Sequence, residues 1–101
     1  MDRGDIITAK IHNVRFHKEE RKIAGELFGN YCSEYVAVLE GYTNGIVCID
    51  SIAQQLHPNW DRKTEQRAQI LSQELHGETI TVRIKDVFHG GAFEAEIVLD
   101  N

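Results

Sequence analysis

The chain is poor in the residues that staple or rigidify small folds: it has one proline, two cysteines, one tryptophan and one methionine in 101 residues. Two cysteines, Cys32 and Cys48, are too few for a secreted mini-domain held by several disulfides. They read as reduced thiols in a cytoplasmic protein, with Cys48 as a small near-core residue. A Cys32–Cys48 bridge is the minor alternative, because sequence carries no distance. No apolar run approaches the ~20 residues of a membrane span. The opening Met1-Asp2-Arg3-Gly4-Asp5 is polar and leads straight into a patterned segment, which is not a signal-peptide pattern. Cations are also scarce: 11 Lys and Arg stand against 16 Asp and Glu, a net charge of −5. That balance disfavours non-specific nucleic-acid binding unless the positive charge is gathered on one face. There is no P-loop, no dinucleotide fingerprint and no nucleophile elbow, so no catalytic residue is assigned. The five histidines, His12, His17, His57, His76 and His89, show no zinc-type spacing with either cysteine. No metal or cofactor is expected.

What is present is alternation. Hydrophobic residues make up 42%, enough for one core, and residues 1–101 read as one domain. In segment 5–16, Ile7, Ala9 and Ile11 alternate with Thr8, Lys10 and His12, the period of a half-buried strand. Val14 and Phe16 then fall on the opposite parity, which predicts a bulge near His12-Asn13. Segment 17–31 fits either a short helix through Ile23, Leu27 and Phe28 or a long loop. Segment 34–40 is a strand by its Tyr and Val content. Asn44-Gly45 is a hairpin signal, and 46–50 is the returning strand. Ser51 and Gln54 have capping-box spacing for a short helix through Leu56, closed by Pro58. Asn59 or Asp61 is expected to cap a main helix over 62–75, with Ala68, Leu71 and Leu75 as its apolar stripe and Ile70 on the flank. Gly77 stands where a left-handed C-terminal residue belongs. Segments 78–88 and 92–99 are strands joined by a turn at His89-Gly90-Gly91.

This order predicts a mainly β chain with one main helix: a five-stranded OB-type β-barrel, the helix between strands three and four.

The residues also carry a resemblance. Gly4-Asp5 leading into Ile6–Ile11 looks like the start of an S1 domain. Tyr35–Leu39, Gly41 and Gly45–Asp50 are similar to that family's central hairpin. Gly77–Ile84 matches the strand that opens its second half, and Phe93–Asp100 its last strand. Ile70–Leu75 resembles the corresponding helix of S1-related small proteins of Gram-positive phages and mobile elements. Extended Tudor and nuclease-like OB barrels overlap in strand order. The S1 resemblance implies RNA or single-stranded nucleic-acid binding on the face of strands one to three, with Tyr35 at a base-stacking position. The family's binding histidine corresponds here to Cys48, its final-strand cation to Glu94 or Glu96, and two of its serines to Asp50 and Asp100. Each departure removes a donor or adds negative charge.

One basic and aromatic set remains. Lys10, His12, Arg15 and Phe16 lie on or after the first strand, followed by His17 and Lys18. Arg83, Lys85 and Phe88 lie on or after the fourth, followed by His89. In an OB barrel these strands are neighbours, so the two sets are expected to merge into one positive stripe. A solvated strand face is the plainer reading of the same alternation. Phosphates would contact Lys10, Arg15, Arg83 and Lys85, bases would stack on the aromatics Phe16, Tyr35 and Phe88, and His12 belongs to the same binding set. The alternative is a protein-interaction module, an adaptor or inhibitor of a host nucleic-acid machine, using the acidic surface with Trp60 and Tyr42 as anchors. No membrane partner is expected.

Overall fold

In the computed structural model, which describes residues 2–21 and 30–98, five strands close into a barrel in the order β1–β2–β3–β5–β4. The elements in chain order are β1 (Ile6–Arg21), β2 (Asn30–Leu39), β3 (Tyr42–Cys48), α1 (Asp50–Leu56), α2 (Glu65–Leu75), β4 (Thr79–Val87) and β5 (Phe93–Ile97). The chain is therefore an OB-type barrel with both α-helices between β3 and β4. Antiparallel β1–β4 pairing closes it, and β3–β5 is the parallel pair. Among the described residues no helix is long and apolar enough to cross a membrane.

β1 serves two neighbours. Ile6–Lys10 pair with β4, and from Ile11 onward the strand pairs with β2. The expected bulge lies between Ile11 and Asn13. It explains how Ile11 and Val14, three apart, are both buried, since a regular strand would put them on opposite faces. β1 and β2 also run further than the alternation indicated, with residues 17–21 paired to 30–34. They form a two-stranded arm beyond the point where β3 first meets β2 at Val36. The expected apolar positions Ile23, Leu27 and Phe28 lie outside the described residues, as do Leu99 and Asp100.

The core gathers Ile11, Leu39, Val47, Val82 and Ile84 from the sheet with Ile49 from the link between β3 and α1 and Leu71 from α2, all essentially inaccessible. The Ala68–Leu71–Leu75 stripe faces this core as its spacing predicts, whereas Ile70 is 45% exposed. The end of α2 is clasped to the bulge. His76 Nδ1 lies 2.8 Å from the His12 carbonyl, Ser72 Oγ accepts the Val14 N–H, and the Gly77 N–H donates to the Ile11 carbonyl. Gly77 has φ +82°, a conformation that costs other residues about 1 kcal/mol or more.

Three local expectations are corrected. The β2–β3 turn is Glu40-Gly41, with Leu39 opposite Tyr42 and φ +80° at Gly41, so Asn44-Gly45 lies inside β3. Ser51 and Gln54 form no capping box. α1 begins at Asp50, and its N-cap position is Ile49, whose hydrocarbon side chain has no acceptor to offer. α2 is capped by Thr64, which accepts the Arg67 N–H at 3.2 Å, and not by Asn59 or Asp61.

Candidate functional site

The bulge at His12 decides where the β1 cations point. Lys10 and Arg15 differ in parity, yet both are exposed, because the inserted residue turns the second half of the strand over. Lys10 stands opposite Thr79 on the β4 side, and Arg15 stands opposite Val36 on the β2 side. His12 is exposed at the bulge itself. Neither Lys10 nor Arg15 makes an ion pair with a carboxylate among the described residues.

β1 and β4 are neighbours, as expected, but their charges do not merge. Arg83 stands opposite Ile6, and the Thr8–Thr81 pair, with hydroxyls 3.0 Å apart, separates it from Lys10. Arg83 turns to the other side of β4. Its Nε and Nη2 donate to Glu96 Oε1 at 3.1 and 2.6 Å. Lys85 borders a surface depression with Glu94 and Glu96. Arg83 is therefore paired with a β5 carboxylate and Lys85 borders the same depression as two of them, while Lys10 and Arg15 stand on the β4 and β2 sides of β1. The Arg83–Glu96 pair is largely exposed and so contributes little stability, about 0–1 kcal/mol. Its effect here is to neutralise the charge. Arg3 does the same to Asp86, whose carboxyl it holds below the ordinary value by hydrogen bonding.

The aromatic expectations need more correction. Tyr35 is 2% exposed and offers no face to a base. Its hydroxyl accepts the Thr64 N–H at 3.2 Å, and its backbone N–H donates to Asp50 Oδ1 at 2.8 Å. Tyr35 points inward because Ala37 and Leu39, two and four residues on, are also inside the barrel. Phe16 is half-buried with its ring centroid 6.3 Å from that of Tyr35. Phe88 alone among the expected stackers is well exposed, at 50%. The two expected protein anchors are engaged internally. Tyr42 meets Phe93 edge-on at 6.4 Å. Trp60 is stacked on His57 at 3.8 Å, lies 6.3 Å from Tyr35, and carries the Arg67 guanidinium over its ring at 5.2 Å. Phe16, Tyr35, Trp60 and His57 thus form a ladder of rings from β1 to the loop between the helices.

That loop encloses a cavity of about 260 Å³, bordered by Tyr35, Trp60, Asp50, Arg62 and Lys63 among others. The loop is pinned at several points. Lys63 Nζ donates to Asp50 Oδ2 at 2.6 Å and to the Ser33 carbonyl at 2.8 Å. Arg67 donates to Asp61 Oδ1 and to the Arg62 carbonyl. His57 Nε2 lies 2.6 Å from Glu74 Oε1. No sequence spacing announces this cavity, since its residues converge only when the helices dock on the barrel.

A second grouping was also invisible in sequence. Glu34, Cys48 and Asp50 bring one potential ligand atom each to within 4.8 Å of one another. Asp50 is already held by Lys63 and by the Tyr35 N–H. Cys48 is a free thiol whose pKa is pushed up to about 11, first by burial and further by its hydrogen bond to Glu34, although the Asp50 backbone pulls the other way. Such a thiol is a poor nucleophile at neutral pH.

We expect iodoacetamide to label Cys48 slowly at pH 7–8 and to accelerate only above roughly pH 10, read by peptide mass spectrometry so that Cys32 is scored separately. Fast labelling of Cys48 at pH 7 would overturn the assignment. Because the folded pKa is the higher, the unfolded chain loses this proton first. The thiol therefore lowers stability as pH rises from its ordinary value of 9.0 toward 11.

No family model, curated protein or solved structure matches the chain. The functional reading accordingly rests on the barrel and on the partition of charge across its outer surface.

Proposed function

We propose that the chain is a non-enzymatic binding module that holds single-stranded RNA or DNA along the outside of β1. One observation carries this reading: the bulge at His12 turns Lys10 and Arg15 to the same outer surface, and neither is neutralised by a carboxylate among the described residues. Arg3, Lys63, Arg67 and Arg83, by contrast, are each tied to an Asp or Glu. A domain with net charge −5 that leaves cations uncompensated along one strand has the local field a phosphate backbone needs. The S1-like opening and strand order support the same reading. Tyr35 is withdrawn from the site, and Arg83 is assigned to Glu96.

The test is a salt titration. Anisotropy of a labelled mixed-sequence oligonucleotide is followed from about 50 to 200 mM salt, a range over which phosphate contacts dominate the change in affinity. Joint Lys10→Ala and Arg15→Ala substitution is expected to flatten the log–log slope by roughly 1.4, about 0.7 per lost contact to a single strand. Arg83→Ala is expected to leave the slope unchanged. Absence of binding at low salt, or a slope indifferent to Lys10 and Arg15, would sink the proposal.

The protein-partner reading has lost Trp60 and Tyr42 as free anchors. What favours it is the adjacent pair Val87 and Phe88, 38% and 50% exposed at the end of β4. Two exposed apolar side chains make a smaller patch than a stable interface needs, so the nucleic-acid reading stands first.

A further inference from the structure

We infer that His12 and His76, which meet at the β1 bulge, bind a phosphate of the strand held on β1 and do so as imidazolium ions, so that nucleic acid is taken up together with protons. The inference rests on the nucleic-acid reading for the class of ligand. It adds a residue, His76, and a pH dependence that Lys10 and Arg15 alone would not give.

Geometry fixes what the rings can offer. Their centroids lie 6.3 Å apart, and both residues are exposed. A carbonyl oxygen only accepts, so His76 Nδ1, 2.8 Å from the His12 carbonyl, carries a proton and donates it. In the neutral ring Nε2 is then a lone pair, which repels a phosphate oxygen. Once the ring is protonated Nε2 becomes an N–H donor. The ring is thus held in place by one nitrogen and reverses its interaction with an anion at the other. Ser72 and Gln73 border the same surface depression as His76. Ser72 Oγ accepts the Val14 N–H, so its own O–H is left to donate, and the Gln73 amide carries two further donors.

The charged groups around the pair come from three sides. β1 brings Lys10 two residues before His12, Arg15 three after it and His17 beyond, the last in register with Glu34. α2 brings Glu74, which is already bonded to His57. Glu40 and Glu78 approach through their backbones, the Glu40 N–H donating to the Lys10 carbonyl and the Glu78 carbonyl accepting the Ile11 N–H. Neither of these two carboxylates pairs with Lys10, His12 or His76 among the described residues. Two imidazolium rings this close repel each other, and an anion bound at them relieves the repulsion. Protonation and phosphate binding therefore favour one another reciprocally. A divalent metal would need the opposite state, neutral rings with free lone pairs. No third metal-ligating side chain joins the pair among the described residues.

The test is anisotropy of the same labelled mixed-sequence oligonucleotide at fixed salt, from pH 8 to pH 6. Affinity is expected to rise about tenfold, the gain that goes with one charge-assisted hydrogen bond. In the double variant His12→Asn with His76→Asn the rise should shrink to about twofold or less, the remainder coming from distant histidines through a screened field. Asn at position 76 keeps an N–H where Nδ1–H stands, so the clasp to the His12 carbonyl and the thermal midpoint should be retained. Calorimetry at pH 7 in two buffers of different ionisation enthalpy should show net proton uptake on binding in the parent and little in the double variant. An affinity independent of pH overturns the inference, as does a double variant that keeps the parental rise. Binding that weakens on acidification would overturn it too, and would point to a metal bridge. In each of these cases a salt slope at pH 8 that still depends on Lys10 and Arg15 leaves the reading of β1 standing. No binding at either pH would overturn both.

Discussion

Gly45→Ala is expected to be among the most destabilising single substitutions in the chain. A Cβ at Gly45 would stand 2.0–2.3 Å from three ring atoms of Phe93, far inside contact distance, and both residues are buried. Gly45 and Phe93 are register partners in the parallel β3–β5 pair. Neither backbone can retreat without breaking the ladder that closes the barrel. Overpacking a rigid site costs about 1–3 kcal/mol and occasionally more, and the upper end applies where the obstacle is a buried aromatic ring. About 3 kcal/mol would lower the midpoint of a chain this size by roughly 12–24 °C. Thermal melts followed by circular dichroism check it. Phe93→Leu in the same chain should recover part of the loss, because the two positions are directly coupled. A Gly45→Ala variant melting within a few degrees of the parent would refute the packing of the Phe93 ring on Gly45.

The second large effect separates the two possible lives of Tyr35. As a base-stacking residue it would sit on the surface, and Tyr35→Ala would abolish binding at little cost to the fold. At 2% exposure, between Phe16 and Trp60, its removal is expected to cost about 3–5 kcal/mol, as for other large aromatic-to-alanine changes in cores. Tyr35→Phe keeps the ring but removes the acceptor of the Thr64 N–H, at about 1 kcal/mol. Denaturant unfolding of the two variants gives both numbers. Trp60, whose ring centroid is 6.3 Å away, should also shift its emission in Tyr35→Ala and hardly at all in Tyr35→Phe. Parent-like stability for Tyr35→Ala would refute its place in the core.

Both cases show where the sequence is readable and where it is not. Asn44-Gly45 is a strong hairpin signal, yet the glycine serves a close approach by a residue 48 positions away. Local turn chemistry and long-range packing ask for the same residue, and only the β3–β5 register separates them. Tyr35 is a similar case. Val36 and Val38 on one parity are as apolar as Ala37 and Leu39 on the other, so alternation did not decide its direction, and the resemblance to a family with an exposed aromatic there pointed outward. Arg83 illustrates a third kind of limit. Alternation correctly turned it to solvent, but its neutralisation depends on Glu96, which faces it only because β5 pairs with β4 in that register. Thr64 is the cap because α2 starts at Glu65, three residues later than the sequence placed it, so Asn59 and Asp61 lie before the cap position.

What the sequence by itself determined is local and periodic. Alternation set the strands and their faces. The parity change at His12-Asn13 set the bulge, and the Ala68–Leu71–Leu75 spacing set the buried side of α2. These follow from side-chain geometry along one stretch of backbone, so they need no partner to be read. What only the tertiary structure decided is which residues meet: Gly45 with Phe93, Arg83 with Glu96, Cys48 with Glu34 and Asp50, and the cavity that Trp60, Tyr35 and Arg62 border. Those meetings depend on strand register and helix docking, which bring together positions far apart in the chain. A one-residue slip would exchange the faces that meet.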